Sequence, residues 1–400
     1  MKKRLNDWRN VLLAEVAEVR TGVAKSQRIP DNAVRLPYVR VANVQDGHFD
    51  LSEVKDIAIS ADDIDRYSLR RGDVLMTEGG DFDKLGRGHV WTGEIEPCVH
   101  QNHVFAVRPK QDLLDPHFLA YFAASPRGRE HFIRCAKRST NLASINSTQL
   151  KKTPIPLPPI DEQQRIVSAI QAWENTSSAL TELMAAKSSH KNALIDGLLT
   201  GQLRFRGFIE KWCESALRDL FVERREVGYD DLPLLAITAN DGVVMRSTLG
   251  RRDTSPEDKS RYLRVRSGDI VYNTMRMWQG VSGRSSIDGI VSPAYTVCTP
   301  TAKIDGRFAA RLFKLPSVIH LFYRHSQGLV SDTWNLKFTH FAKIKVSIPD
   351  VVEQTRIADV LDTVDNEIRI LNSQRVLLEK QKRAVIHKLF TGAIRLNSGA

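Results

Sequence analysis

The sequence predicts an α+β fold in which two mixed α/β domains are joined by two long antiparallel helices, an intramolecular coiled coil, all produced by internal duplication. Three observations predict it: the chain repeats itself, each copy ends in a long heptad-patterned stretch, and the segment before each stretch alternates short apolar runs with turn residues. The boundaries that follow are 1–158 for the first mixed domain, 159–204 for the central long helix, 205–348 for the second mixed domain, and 349–400 for the C-terminal long helix and tail.

The repeat carries the rest. Pro158-Pro159-Ile160-Asp161-Glu162-Gln163-Gln164-Arg165-Ile166 returns as Pro349-Asp350-Val351-Val352-Glu353-Gln354-Thr355-Arg356-Ile357, about 191 positions later. The offset holds without a gap to Leu198-Leu199-Thr200-Gly201-Gln202-Leu203-Arg204, matched by Leu389-Phe390-Thr391-Gly392-Ala393-Ile394-Arg395. An ungapped match over roughly 45 positions means duplication. Upstream the match is looser. Trp8, Leu13 and Val16 answer to Trp212, Leu217 and Leu220, and the run from Leu36 to Val41 answers to Leu232 to Ile237. Arg71-Gly72-Asp73-Val74-Leu75 corresponds to Ser267-Gly268-Asp269-Ile270-Val271, and Val104 to Pro109 corresponds to Tyr295 to Pro300. Between these anchors the copies differ almost completely, so one scaffold carries two different surfaces.

In the mixed regions, apolar runs bounded by Gly, Asp, Asn and Pro read as strands with a few helices. Asp115-Pro116-His117-Phe118 reads as a helix start with proline in the first turn. The proline-rich stretch from Thr153 to Pro159 cannot be helical inside and should run extended.

The long helices have legible ends. Asp161 with Gln164, and Asp350 with Glu353, have the spacing of a capping box, and Gly201 and Gly392 suit left-handed C-terminal caps. The first seam runs Ile166, Ile170, Trp173, Ser177, Leu180, Met184, Lys187, Lys191, Leu194, Leu198. The second runs Ile357, Leu361, Val364, Ile368, Leu371, Arg375, Leu378, Lys382, Val385, Leu389. Steps alternating between four and three are a heptad period, and about 40 residues at 1.5 Å each make a helix roughly 60 Å long. So long a helix with so narrow an apolar stripe needs a long partner, and its own duplicate is the simplest. A core helix or an intermolecular coiled coil is the alternative. Antiparallel pairing would place the mixed domains at opposite ends of a rod, with Lys187, Lys191, Arg375 and Lys382 either partly exposed or setting register.

Composition bounds the chemistry. A formal net charge of +11 over 400 residues suits a polyanionic partner, though it also fits a soluble protein that is merely basic. No apolar run approaches the 18 or so residues of a membrane span, and Met1 to Asp7 lacks the apolar stretch of a signal peptide, so a cytoplasmic protein without membrane attachment is expected. Cys98, Cys135, Cys213 and Cys298 stand far apart, which argues against a zinc site or a disulfide framework.

Catalytic signatures are missing. There is no phosphate-binding G-x-x-x-x-G-K-[ST] loop, and the Gly-rich run from Gly79 to Gly88 does not lead into a helical pattern and reads as a loop. His100 and His103 resemble a metal pair but have no third ligand nearby. Pro158-Pro159 is followed by Ile160 where an aminomethylating site would need an aromatic residue. No catalytic residue and no metal ligand is therefore assigned.

DNA-reading chemistry is better represented. In both halves a Gly-Asp turn launches an apolar strand that runs into a polar loop. The first loop offers Thr77, Glu78, Asp81, Lys84 and Arg87, and the second offers Asn273, Thr274, Arg276, Trp278, Gln279 and Arg284. Arginine pairs with guanine, asparagine and glutamine with adenine, and carboxylates accept from cytosine. Trp278 adds a stacking surface. Further candidates in the first half are Arg40, Asn43, Gln101, Asn102, His103, Arg138 and Asn141. In the second they are Asn240, Arg246, Arg251, Arg252 and Tyr295, with Trp334, Asn335 and Lys337. For each, a solvated surface side chain is the plain alternative.

The duplicated scaffold, the Pro-x-Pro-x-x-x-Glu-Gln-x-x-Ile type motif from Pro156 to Ile166, its second copy from Pro349 to Ile357, and the Leu-Leu-Thr-Gly and Leu-Phe-Thr-Gly exits resemble the specificity subunit of type I restriction–modification systems along essentially the whole chain. The second copy departs slightly, with Val351-Val352 in place of Ile160-Asp161. The resemblance implies that each mixed domain is a target-recognition domain reading one half of a bipartite site on double-stranded DNA, with a nonspecific spacer between. It implies two modification subunits that carry S-adenosylmethionine and methylate adenine N6, and restriction subunits that use ATP and Mg. This chain would then hold no cofactor and catalyse nothing. The rival readings are a stand-alone bivalent DNA-binding regulator and the recognition half of a split DNA methyltransferase.

Overall fold

The computed structural model describes residues 8–25, 29–80, 85–138, 143–250, 255–329 and 333–396. The chain forms two compact units, one from Met1–Thr181 with Gln374–Ala400 and one from Glu182–Ser373. Two helices of 40 residues, α1 (Ile160–Leu199) and α2 (Val351–Phe390), pass through both, so each unit owns one part of each helix.

In the first unit, Arg9–Leu12 pairs antiparallel with Pro154–Leu157, an isolated two-stranded ribbon in which proline's missing donor is tolerated. The turn of helix Leu13–Val16 leads into a four-stranded antiparallel sheet ordered Ala17–Thr21, Val104–Pro109, Val74–Thr77, Gly88–Val90. A Cβ on Gly88 would sit 1.7 Å from the Leu75 carbonyl oxygen, so only glycine closes this sheet. Helices Pro116–Ala124 and Pro126–Cys135 pack on it, and Phe105, Phe118, Phe122 and Phe132 form the core with Ile166 and Ile170 of α1 and Phe390 of α2. Asp115 caps the first of these helices, its carboxylate accepting from the Phe118 amide at 3.0 Å.

The second unit repeats the plan. Cys213–Ala216 pairs with Lys345–Ile348, and a second antiparallel sheet is ordered Phe221–Glu223, Tyr295–Pro300, Ile270–Asn273, Ser282–Arg284. Helices Gly306–Leu312 and Pro316–His325 cover it, with Phe308, Phe313, Phe322 and Phe341 packed against Leu198, Ile357 and Leu361. The hairpin Leu235–Thr238 and Gly242–Met245 stands where the first unit has a three-stranded sheet built on Ala33–Val39.

The Gly-Asp turns are structural. Asp73 is buried and takes Arg108 with both oxygens at 2.7 Å, while Asp269 takes Arg224 at 2.8 and 3.1 Å. The arginine arrives from adjacent strands in the two copies, and Thr299, standing in Arg108's place, donates to Asp269 at 3.0 Å.

The Glu-Gln pair of the repeat is also explained. Gln163 accepts from the Asp115 amide at 2.9 Å and donates to the Leu113 and Pro158 carbonyls, and Gln354 makes the same three bonds to Asp305, Lys303 and Pro349. Glu162 receives two bonds from Arg395, and Glu353 receives two from Arg204, so the residue that begins one copy's helix is held by the residue that follows the other's.

Capping departs from expectation in the first copy. Helix α1 begins at Ile160, which puts Asp161 inside the first turn, because the Pro159 carbonyl is the helix's first acceptor, taking the Glu162 and Gln163 amides. Asp350 does cap α2, accepting from Val352 and Glu353 at 2.8 and 2.9 Å, but the Glu353 side chain turns to Arg204 instead of closing a capping box. Gly201 and Gly392 have φ of 74° and 70°, the left-handed conformation that ends each helix.

Within each unit the parts of α1 and α2 run antiparallel. In the first unit Ser177 meets Glu379 and Glu174 meets Lys382, and in the second Lys187 meets Glu367 and Lys191 meets Asp365. Ile166, Ile170, Leu198, Ile357, Leu361, Val364 and Leu389 are buried. Trp173, Leu180, Leu194, Ile368, Leu371, Leu378 and Val385 are half-buried, and Arg375 is exposed.

Candidate nucleic-acid interface

In each unit three segments far apart in sequence meet at the edge of the four-stranded sheet where its two central strands end. In the first, the Glu78 amide donates to the His103 carbonyl and the Ile145 amide donates to the Glu78 carbonyl, both at 2.9 Å. In the second, Thr274 donates to Ala294 at 3.2 Å and Leu336 to Thr274 at 2.8 Å. The backbone bonds correspond while the side chains they carry differ.

On the first edge, His103 is exposed and its Nδ1 lies 2.5 Å from Glu78 Oε2. Gln101 and Asn102 are half-buried beside it, and Gln101 Oε1 accepts from the Val41 amide at 3.2 Å. His100 points the other way. It is buried with Nδ1 2.7 Å from the Val104 carbonyl, and burial, opposed by that hydrogen bond, pushes its pKa down to about 4. Asn43 and Thr77 are buried as well. Asn43 bonds Arg40, Asp50 and Glu53, and Thr77 faces the Arg87 carbonyl, so both side chains hold the scaffold and present nothing outward. Arg40 is tied to Glu53. Arg87 is half-buried, with its Nε unpartnered among the described residues.

On the second edge, Asn273 turns the chain by accepting from the Met275 amide at 3.0 Å, and Arg276 and Gln279 are exposed beyond it. Trp278 donates to the Met275 carbonyl at 3.0 Å and meets Trp334 edge-on at 5.1 Å, and Tyr323 packs on Trp334 at 5.0 Å. Thr274, Tyr295, Asn335 and Lys337 line one cavity of about 570 Å³ with Met275. Asn273, Arg246 and Tyr295 line a neighbouring one of about 360 Å³. Asn240 is exposed on a separate turn. Arg284 is not part of this edge. It pairs opposite Ile270, at the far end of the strand from Asn273.

Asp81, Lys84, Asn141, Arg251 and Arg252 lie outside the described residues, and Arg138 is described in its backbone only, as part of strand Lys137–Arg138.

Sequence reasoning missed Lys314. This surface lysine donates to the carbonyls of Gly280 at 2.7 Å, Ser282 at 2.8 Å and Ala239 at 3.4 Å, and partial desolvation of its amino group lowers its pKa. It ties down both the Trp278 loop and the turn that carries Asn240. No local pattern announces it, since its partners are backbone oxygens more than 30 positions away.

Among the described residues no cluster of three or more His, Cys, Asp or Glu side chains is placed to hold a metal ion, and no helix is long and apolar enough to cross a membrane.

The chain is similar to known proteins along its length. The family described as the type I restriction modification DNA specificity domain matches residues 6–186 and 287–380. A putative type I restriction enzyme MjaX specificity subunit from Methanocaldococcus jannaschii is 22% identical over 98% of this chain and 95% of its own length. The EcoKI specificity subunit from Escherichia coli is 26% identical over 39% of this chain and 33% of its own. Among solved structures, the HsdS subunit from Thermoanaerobacter tengcongensis superposes with a TM-score of 0.59 at 16% identity, covering 98% of this chain and 99% of that one. A type I restriction–modification S subunit from M. genitalium gives 0.52 at 13% identity, with 98% of each chain covered. These likenesses establish the shared α+β duplicated fold, and because the matched regions take in more than half of the sequence, the chain belongs to the type I restriction modification DNA specificity family.

Proposed function

We propose that this chain reads a two-part DNA sequence, one half with each sheet edge, and places two modification subunits and the restriction subunits of a type I system on it, without catalysing a reaction itself. The observation that carries this reading is the pair of equivalent edges: the same backbone bonds present Glu78 and His103 in one unit and Thr274, Tyr295 and Asn335 in the other. One frame with two unlike surfaces suits two unlike half-sites. S-adenosylmethionine, ATP and Mg would act in the partner subunits, and the work would take place in the cytoplasm, where the DNA is. The target adenines would be turned out of the duplex into the modification subunits, with this chain choosing which adenines those are.

The test is methylated-base sequencing of DNA from cells expressing the chain with its modification subunit. A motif of two short specified blocks around an unspecified spacer is expected. Methylation by the purified chain alone, or one continuous motif, would refute the proposal.

A further inference from the structure

Glu78 and His103 form a side-chain pair that the second unit replaces with Thr274 and Ala294. His103 Nδ1 lies 2.5 Å from Glu78 Oε2, with the His103 side chain 57% exposed and the Glu78 side chain 27% exposed. An ionised carboxylate only accepts, so the ring proton sits on Nδ1. In the neutral form of the ring this leaves Nε2 as an acceptor. Asn102 Nδ2 approaches it at 3.5 Å, too long to hold it. The ring is also well placed, because the Glu78 amide donates to the His103 carbonyl and the Ile145 amide to the Glu78 carbonyl. Its neighbours compete little for an outside partner, since Gln101 Oε1 is engaged by the Val41 amide and Thr77 is buried.

We propose that His103 is a specificity-determining residue of the first unit, whose Nε2 accepts from the amino group of an adenine or a cytosine, and that Glu78 is the positioning residue that fixes this sense. In the major groove adenine N6 and cytosine N4 donate, whereas guanine and thymine present oxygen acceptors at the corresponding places. An acceptor of fixed sense therefore divides the four bases into two pairs at one position. The inference rests on the reading of these edges as DNA-facing. It predicts a preference confined to one half-site.

The test is selection from randomised duplexes by the full chain in complex with its modification subunit. Glu78→Gln lets the amide either donate to or accept from the ring, so both tautomers become available. Discrimination at one position of one half-site should then fall about tenfold. His103→Ala should lose discrimination at that same position, while the other half-site stays as in the wild type and reports an intact chain. The proposal is overturned if both variants keep the wild-type preference, if they affect different positions, or if the changes spread over both half-sites. A wild-type complex that selects no two-part motif removes the underlying reading as well, and is seen before any variant is made.

Discussion

Lys191 and Asp365 meet at 2.5 Å between the long helices of the second unit, in the place that Lys382 and Glu174 occupy, at 3.4 Å, in the first. A third group joins each pair: Arg311 reaches Asp365 at 2.7 Å and the Tyr121 hydroxyl reaches Glu174 at 2.6 Å. Burial alone would raise the Asp365 pKa, but Lys191 and Arg311 outweigh it and hold the carboxyl below its ordinary value. Lysines in an apolar seam thus have partners that the antiparallel register supplies, and shifting that register would strand them.

Removing Arg395 should cost far more than removing Lys191. Glu162 is nearly wholly buried, and without the two bonds from Arg395 it keeps the Trp8 indole at 3.2 Å but no matching charge. Arg395→Ala is expected to destabilise the first unit by about 3 kcal/mol. Lys191→Met should lose under about 1 kcal/mol, because Asp365 is part-exposed and retains Arg311. Urea unfolding of both variants measures the difference, and comparable losses would contradict it.

Acid should weaken the first unit through His100. Its folded pKa of about 4 lies below the roughly 6.5 of an unfolded histidine, so the unfolded chain binds the extra proton between those values. Stability from this group is fully present above about pH 6.5 and is lost as pH falls toward 4, by roughly 3 kcal/mol in all. Comparing the pH dependence of unfolding in the parent and in His100→Leu should show a shallower slope in the variant.

Lys314→Met should blur one half-site. It leaves the Gly280 and Ser282 carbonyls without their lysine donor and frees the loop that carries Trp278 and Gln279. Reduced discrimination at the second unit's half-site, with the other half-site unchanged, is expected in methylated-base sequencing. Equal losses at both would mean a general folding defect.

The exposed loops should be separable. Replacing Arg276 and Gln279 with alanine is expected to alter the half-site read by the second unit alone, and Arg87→Ala the other. Binding should be salt-sensitive in either background. If six to ten phosphates are neutralised, affinity should drop roughly 10³- to 10⁵-fold between 50 and 200 mM salt. A titration that stays flat over this range would remove the phosphate contacts from the account.

What was legible in the sequence was what repeats locally. The heptads of α1 and α2, the glycines that end them and the Asp115 cap each depend on neighbours within a few positions, and a duplicated chain shows them twice. The Gly-Asp turns were visible, but not their arginines, because Arg108 and Arg224 reach equivalent aspartates from different strands. The edges were harder still. Glu78, His103 and Ile145 are brought together by sheet pairing, and nothing in a polar loop announces that Thr77 turns inward while its neighbour Glu78 turns outward. Asp161 misled for a simpler reason, since the helix starts one residue earlier, at Ile160, with the Pro159 carbonyl as its first acceptor.

The first unit is closed by residues 374–400, whereas the second is a single uninterrupted stretch of chain. During synthesis at about 5–20 residues per second, roughly 10–40 s pass between the appearance of Thr181 and that of Gln374. For that interval Ile166 and Ile170 wait without Leu389 and Phe390, and by its end the second unit has every residue it needs. The part of the protein made first is therefore the last to be finished, and a message cut short before residue 374 spoils the beginning of the molecule and spares its middle.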